Sequence, residues 1–228
     1  MKFTAVADVF LPEEYYKNAL AKYPGYECLG IPYFGVPDRT EMREIVHGIE
    51  KKGSEACDPP AELWDLIEET EVLTVHLCPV SRKLLEKAKN LKLICESATG
   101  INNIDVEYAA SKGIPVRNAV GYSTSTVVQA TFMHILSLVG KASYYDNSVK
   151  SGKYSKSGMF TDVSVNWWEL SGKNIGIIGL GNIGSRVAKV AEAFGARVIV
   201  NKRTPVSDYT CVDIDTLCKE SDIITVHC

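Results

Sequence analysis

Short apolar runs alternate along this chain with longer stretches in which apolar residues recur at helical spacing, the pattern of a parallel sheet with crossover helices. Phe3 to Val9 reads as a strand. Pro12 to Tyr23 reads as a helix opened by Pro12, with Glu13 and Glu14 in its first turn and a stop at Pro24-Gly25. A second helix spans Glu41 to Lys52 and closes at Gly53, and Pro59-Pro60 opens a third over Ala61 to Thr70. A strand at Val72 to Leu77, a helix at Arg82 to Lys89 and a strand at Leu91 to Cys95 follow. Residues 1–100 therefore form one small α/β domain, expected to end near Gly100.

The loop Ser97 to Asn103 begins a second region, 101–228. Asp105 to Lys112 reads as a short helix capped by Gly113, and Pro115 to Asn118 as an extended segment. The helix from Ser125 to Gly140 is apolar on nearly every face, so it should be covered all round, between domains or between subunits. A polar stretch, Asp146 to Gly158, and the Trp167-Trp168 segment lead to further strands at Asn174 to Ile178, Arg197 to Asn201 and Ile223 to His227, with a weak one near Thr210 to Asp213.

Composition narrows the class. The chain has 228 residues, 46% of them apolar and 23% charged, which is ordinary globular composition. With 25 Lys+Arg against 28 Asp+Glu and a net charge of −3, no basic excess favours nucleic acid as a partner. The longest apolar run, Val127 to Val139, is broken by Gln129, Thr131, His134 and Ser137 and is too short to span a membrane. An acidic residue at Asp8 argues against a signal peptide. The seven cysteines are odd in number and hold no Cys-x-x-Cys pair, so they read as reduced thiols of a cytoplasmic protein and not as metal ligands.

The chemistry lies in Ile177-Ile178-Gly179-Leu180-Gly181-Asn182-Ile183-Gly184, a Gly-x-Gly-x-x-Gly run that leaves a strand and opens a helix. In that context each glycine has a mechanical reason. Gly179 makes the tight turn, Gly181 lets the backbone approach a pyrophosphate, and Gly184 lets helix and strand pack closely. The anion would rest on the free N–H groups at Asn182, Ile183 and Gly184, where the helix dipole favours it. This is a dinucleotide-binding Rossmann domain, a doubly wound parallel sheet. The strand after it should end in Asp or Glu to hold a ribose 2′-hydroxyl, about 20 residues on; here stand Asn201, Lys202, Arg203 and Thr204. Two cations and a hydroxyl suit a 2′-phosphate, so the cofactor is NAD or NADP, with NADP favoured.

Together with Ala98-Thr99-Gly100-Ile101-Asn102-Asn103-Ile104-Asp105 and Gly121-Tyr122-Ser123-Thr124 followed by Val127-Val128-Gln129, the glycine run resembles the D-isomer-specific 2-hydroxyacid dehydrogenases. The likeness is nearest to the glycerate dehydrogenase and hydroxypyruvate reductase branch. It implies a flavodoxin-like substrate domain before the Rossmann domain, with the active site in the cleft between them. The implied reaction interconverts a small 2-oxo acid, such as hydroxypyruvate or glyoxylate, and its D-2-hydroxy acid. It further implies that Thr99 and Gly100 offer backbone N–H groups to the substrate carboxylate. Cys78 belongs to a loop walling the site, Cys228 begins a loop beside the nicotinamide ribose, and the apolar helix after Ser125 pairs two copies. His76 lies at the same strand end as Cys78, where strand-end packing is the plainer reading and a catalytic role the alternative.

Reduction of a 2-oxo acid needs a cation to polarise the carbonyl and an acid to protonate the oxygen. The family's Arg, Glu and His for these roles fall beyond Cys228, so no catalytic residue is assigned here. His227, Arg117 and Arg203 have no carboxylate partner placed beside them in the sequence and do not replace those three. The strand at Ile223 to His227 would moreover be left as an open edge. The expectation is therefore a C-terminally truncated enzyme, inactive and poorly soluble alone, with a non-catalytic dinucleotide-binding module or a degraded gene product as the alternative.

Overall fold

In the computed structural model, which describes residues 1–153, 168–204 and 206–228, the chain divides into two compact units, Met1–Val120 and Gly121–Cys228. Trp167 and the end of the polar stretch before it lie outside the described residues.

The first unit is a five-stranded parallel sheet in the order β2-β1-β3-β4-β5, built from β1 (Lys2–Ala5), β2 (Glu27–Gly30), β3 (Val72–Val75), β4 (Leu93–Glu96) and β5 (Val116–Asn118). That is the flavodoxin-like order. Its helices are α1 (Glu13–Leu20), α2 (Arg39–Lys52), α3 (Ala61–Leu66), α4 (Arg82–Lys87) and α5 (Val106–Ser111). Met42 and Ile49 of α2, Leu63 of α3 and Leu84 of α4 share one core with Leu73, Val75 and Ile94 of the sheet. Tyr16 of α1 belongs to a separate cluster with Ala5 and Ala7. Side-chain caps start three of the helices: Asp38 accepts from Thr40 and Glu41 N–H, Ser81 from Leu84, and Asp105 from Tyr108.

The first unit ends 20 residues later than the expected break at residue 100. β5 pairs with β4, Ile94 against Val116, so the loop after β4, α5 and β5 complete the first sheet instead of opening the second domain. The first strand is also shorter than its apolar run. Asp8 turns the chain by accepting the N–H groups of Phe10 and Leu11 on Oδ1.

The second unit holds a four-stranded parallel sheet in the order β8-β7-β6-β9, from β6 (Asn174–Ile178), β7 (Arg197–Asn201), β8 (Thr210–Cys211) and β9 (Ile223–Val226). With β6 as its first strand this is the 3-2-1-4 start of the Rossmann order. Its helices are α6 (Thr124–Val139), α7 (Ala142–Lys150), α8 (Asn182–Ala193) and α9 (Ile214–Glu220). Val128, Phe132, Ile135 and Val139, one face of α6, are buried with Val187, Ala188 and Ala191 of α8 and with Ile175 and Ile177 of β6. Arg186 of α8 donates to Ser125 Oγ at the start of α6, 2.9 Å away. The opposite face of α6 is open in this chain, with Met133 57% and Leu138 72% exposed.

Candidate functional site: a dinucleotide turn and a polar pocket

β6, β7 and β9 end side by side, with Ile178 opposite Asn201 on one flank and Val226 on the other. β6 leads through α8 to β7 on one of its sides while β9 pairs on the other, so the carboxyl ends of β6 and β9 form the switch point where ligands of open α/β sheets bind. Gly179 turns the chain there with φ +91°. A Cβ on it would meet the His227 carbonyl oxygen at 2.6 Å and the Cys228 nitrogen at 2.9 Å, so Cys228 lies against the turn. A Cβ on Gly184 would collide with the Gly179 carbonyl oxygen, which is how closely α8 is drawn onto the turn. Gly181, by contrast, has no atom within 4 Å of the place a Cβ would occupy.

That open ground faces the start of α8. Gly181 is its N-cap and offers no side chain to the first turn, whose first internal bond runs from Ser185 N–H to the Gly181 carbonyl. The N–H groups of Asn182, Ile183 and Gly184 thus lack helix acceptors, and with the dipole behind them they fit a diphosphate. Beyond β7, Asn201 spends its side chain on the Val212 carbonyl, 2.9 Å away. Lys202 is half-buried, and Arg203 and Thr204 are exposed. Among the described residues none of the three makes a hydrogen bond or an ion pair.

His227 bonds Thr225 Oγ1 through Nε2 at 2.9 Å and has no carboxylate partner among the described residues. Burial lowers its pKa.

The first unit carries a second polar centre at the carboxyl ends of β3 and β4. A pocket of about 160 Å³ is lined there by Ile49, His76, Leu77, Ala98, Gly100 and Asn103, among others. His76 Nδ1 lies 2.9 Å from Asp8 Oδ2, and Asp8 is 1% exposed. Burial works against the imidazolium, but the Asp8 hydrogen bond and charge outweigh it and raise the His76 pKa. Glu96, 3% exposed, has its pKa pushed up to about 7 by burial, against the bonds it accepts from Asn103 Nδ2 and the Ala98 N–H. Asn103 ties the centre together, donating also to the Cys78 carbonyl at 3.0 Å and accepting from Val80 N–H at 2.7 Å.

Of the residues expected at this end, Gly100 lines the pocket, and Thr99 is exposed next to it with its carbonyl held by Asn118 Nδ2. Their N–H groups donate to no acceptor among the described residues. Cys78 is placed differently from expectation. Its side chain is 1% exposed within the core, its thiol bonds the Pro79 carbonyl, and burial raises its pKa, so the thiol itself is not presented to the pocket. Asp8, Glu96 and Asn103 were not singled out by the sequence pattern. Asp8 was read only as an early acidic residue and Asn103 only as part of the loop that carries the resemblance, while Glu96 follows directly on an apolar strand and passed without remark.

Comparison with known proteins agrees with this geometry. Residues 132–228 match the family described as "D-isomer specific 2-hydroxyacid dehydrogenase, NAD binding domain". The chain is 39% identical over 170 residues to a hydroxypyruvate reductase of Thermotoga maritima, covering 73% of this chain and 54% of the relative. It is 34% identical over 201 residues to a glyoxylate reductase of Thermococcus litoralis, covering 82% of this chain and 59% of the relative. Among solved structures, D-lactate dehydrogenase from Aquifex aeolicus complexed with NAD and lactic acid superposes with a TM-score of 0.69 at 28% identity, covering 98% of this chain and 60% of that one. The chain thus spans somewhat over half the length of the relatives it matches. The glycine turn has the geometry to cradle a nicotinamide dinucleotide, and residues 132–228 belong to the NAD-binding domain of the D-isomer-specific 2-hydroxyacid dehydrogenase family.

Proposed function

We propose that this protein interconverts a small 2-oxo acid of the hydroxypyruvate or glyoxylate kind and its D-2-hydroxy acid, with NADPH favoured over NADH. The observation that carries the reading is the occurrence, in one chain, of a dinucleotide turn at Gly179–Gly184 and of two exposed, unpaired N–H groups at Thr99 and Gly100 that suit a carboxylate. The names of the relatives, hydroxypyruvate reductase and glyoxylate reductase, support the substrate class.

The bound nicotinamide would supply or remove the two electrons of the reaction. Gly181 leaves room for the diphosphate, and the N–H groups of Asn182, Ile183 and Gly184 hold it. Lys202 and Arg203 would neutralise a 2′-phosphate, and the Thr204 hydroxyl would donate to it. Cys228, against the Gly179 turn, leads the chain past the cofactor. In the first unit the Thr99 and Gly100 N–H groups orient the substrate carboxylate.

The free cysteines support a cytoplasmic protein, and the open apolar face of α6 supports a homodimer. Among the described residues no helix is long and apolar enough to cross a membrane.

The test is turnover by the protein at the length its native source makes, with hydroxypyruvate and glyoxylate, followed by the affinities of NADPH and NADH. NADPH should bind at least about tenfold more tightly, and Arg203→Ala should remove most of that margin, as expected for loss of one charge-assisted contact. Equal binding of the two would refute the cofactor assignment. Saturable dinucleotide binding without turnover would instead mark a binding module.

A further inference from the structure

Within the polar pocket of the first unit, His76 is anchored on one side only. Its Nδ1 is committed to Asp8 at 2.9 Å, and Asp8 is itself fixed by the Phe10 and Leu11 N–H groups. Its Nε2 has no partner among the described residues, and the ring lines the pocket. An imidazole held in this way presents one free nitrogen in a set orientation, a lone pair when neutral and an N–H when protonated. A hydroxyl group completes a hydrogen bond with either form, because it both donates and accepts.

The charges around His76 restrict what else can enter. Glu50 faces the pocket from α2, Asp8 stands behind the imidazole after β1, and Glu96 closes the end of β4. Asn102 and Asn103, from the loop after β4, are neutral, and no Lys or Arg is among the lining residues. A phosphate or a second carboxylate would therefore meet three acidic side chains with one histidine to offset them. A methyl group would leave Nε2 of the half-buried ring without a partner once water is displaced, which costs the hydrogen bond that a hydroxyl would supply.

We propose that His76, positioned by Asp8, reads the substituent on C3 of the substrate, so that the pocket selects a 3-hydroxy-2-oxo acid, hydroxypyruvate, over pyruvate and over the 3-phosphorylated acid. The proposal rests on the proposed function, since it takes the substrate carboxylate to be held at Thr99–Gly100. His76 is then a specificity-determining residue.

The test is calorimetric titration of the full-length protein with hydroxypyruvate, pyruvate and 3-phosphohydroxypyruvate, in the presence of oxidised dinucleotide so that no turnover occurs. Hydroxypyruvate should bind at least about tenfold more tightly than either competitor, the margin of one well-made hydrogen bond in a site that leaves its partner unpaired otherwise. His76→Leu should bring hydroxypyruvate and pyruvate to within about threefold while pyruvate affinity is kept, and His76→Gln should restore part of the difference. If His76→Leu does not fold, histidine NMR on the unmodified protein decides: the His76 ring signals should move with hydroxypyruvate and not with pyruvate. Equal affinities in the unmodified protein, an unchanged ratio in His76→Leu, or ring signals indifferent to hydroxypyruvate would each overturn the proposal. Failure of all three acids to bind would overturn the proposed function and this inference with it.

Discussion

At Gly181 a methyl group would meet nothing within 4 Å, whereas at Gly184 it would strike the Gly179 carbonyl oxygen. The two glycines therefore fail in different ways. Gly181→Ala should cost under about 1 kcal/mol of stability yet weaken dinucleotide binding at least about tenfold, because its side chain occupies the ligand's ground. Gly184→Ala should cost about 3 kcal/mol, by overpacking of helix on turn. Urea unfolding paired with dinucleotide titration separates the two. Glu96 gives a pH dependence of definite sign. Its pKa is about 7 in the folded chain against 4.5 when free, so the folded state holds a proton that the unfolded state has lost between those values. Stability must then fall as pH rises from 4.5 to 7, by about 3 kcal/mol at one pKa unit per 1.36 kcal/mol. His76 acts in the same direction: its raised pKa adds stability below pH 6.5 that is lost as pH rises through the folded value. Glu96→Gln should flatten the Glu96 part of the slope, read from unfolding free energies at pH 5 and pH 8; an unchanged slope would contradict the assignment.

Among the elements, α6 shows how far periodicity reaches. Its apolar content announced a helix needing cover on every side, but only the stripe Val128, Phe132, Ile135 and Val139 is covered within this chain. β9 raises the matching question for the sheet. It pairs with β6 alone among the described strands, and Ile224 and Val226 are 43% and 61% exposed along it. A 228-residue chain made alone should self-associate through this edge, and Val226→Lys should reduce that association in sedimentation velocity runs, since an edge lysine opposes strand addition. A monodisperse unmodified chain would contradict the expectation. Long periodic elements such as α2 and α8 were legible from sequence because burial of one face imposes their pattern. β2 was not: Glu27–Gly30 is an exposed edge strand whose first two residues are solvent-facing, so it is fixed by backbone pairing to β1 and leaves no alternation to read. α7 escaped for the same reason, having no buried residue.

Taken whole, the molecule consists of two units, each with its own sheet and core. Residues 1–120 made alone should fold cooperatively, because β5 completes their sheet and the core of α2 to α5 lies inside that span. A chain cut at residue 100 should not, since it strips β5 from β4 and Asn103 from Glu96, leaving a buried carboxyl without its amide partner. Far-ultraviolet circular dichroism through a thermal melt of both pieces tests this. The order of the strands and helices other than β2 and α7, the glycine turn and the cations after β7 were legible in the sequence itself. They are local: a period set by one buried face, a turn only glycine can make, a charge fixed by residue type. The tertiary structure alone decided that β5 closes the first sheet, that Cys78 turns into the core, and that Asp8, His76, Glu96 and Asn103 meet. Those four come from three strand ends up to 95 residues apart in sequence. Only the parallel register that sets β1, β3 and β4 side by side brings them within hydrogen-bonding distance.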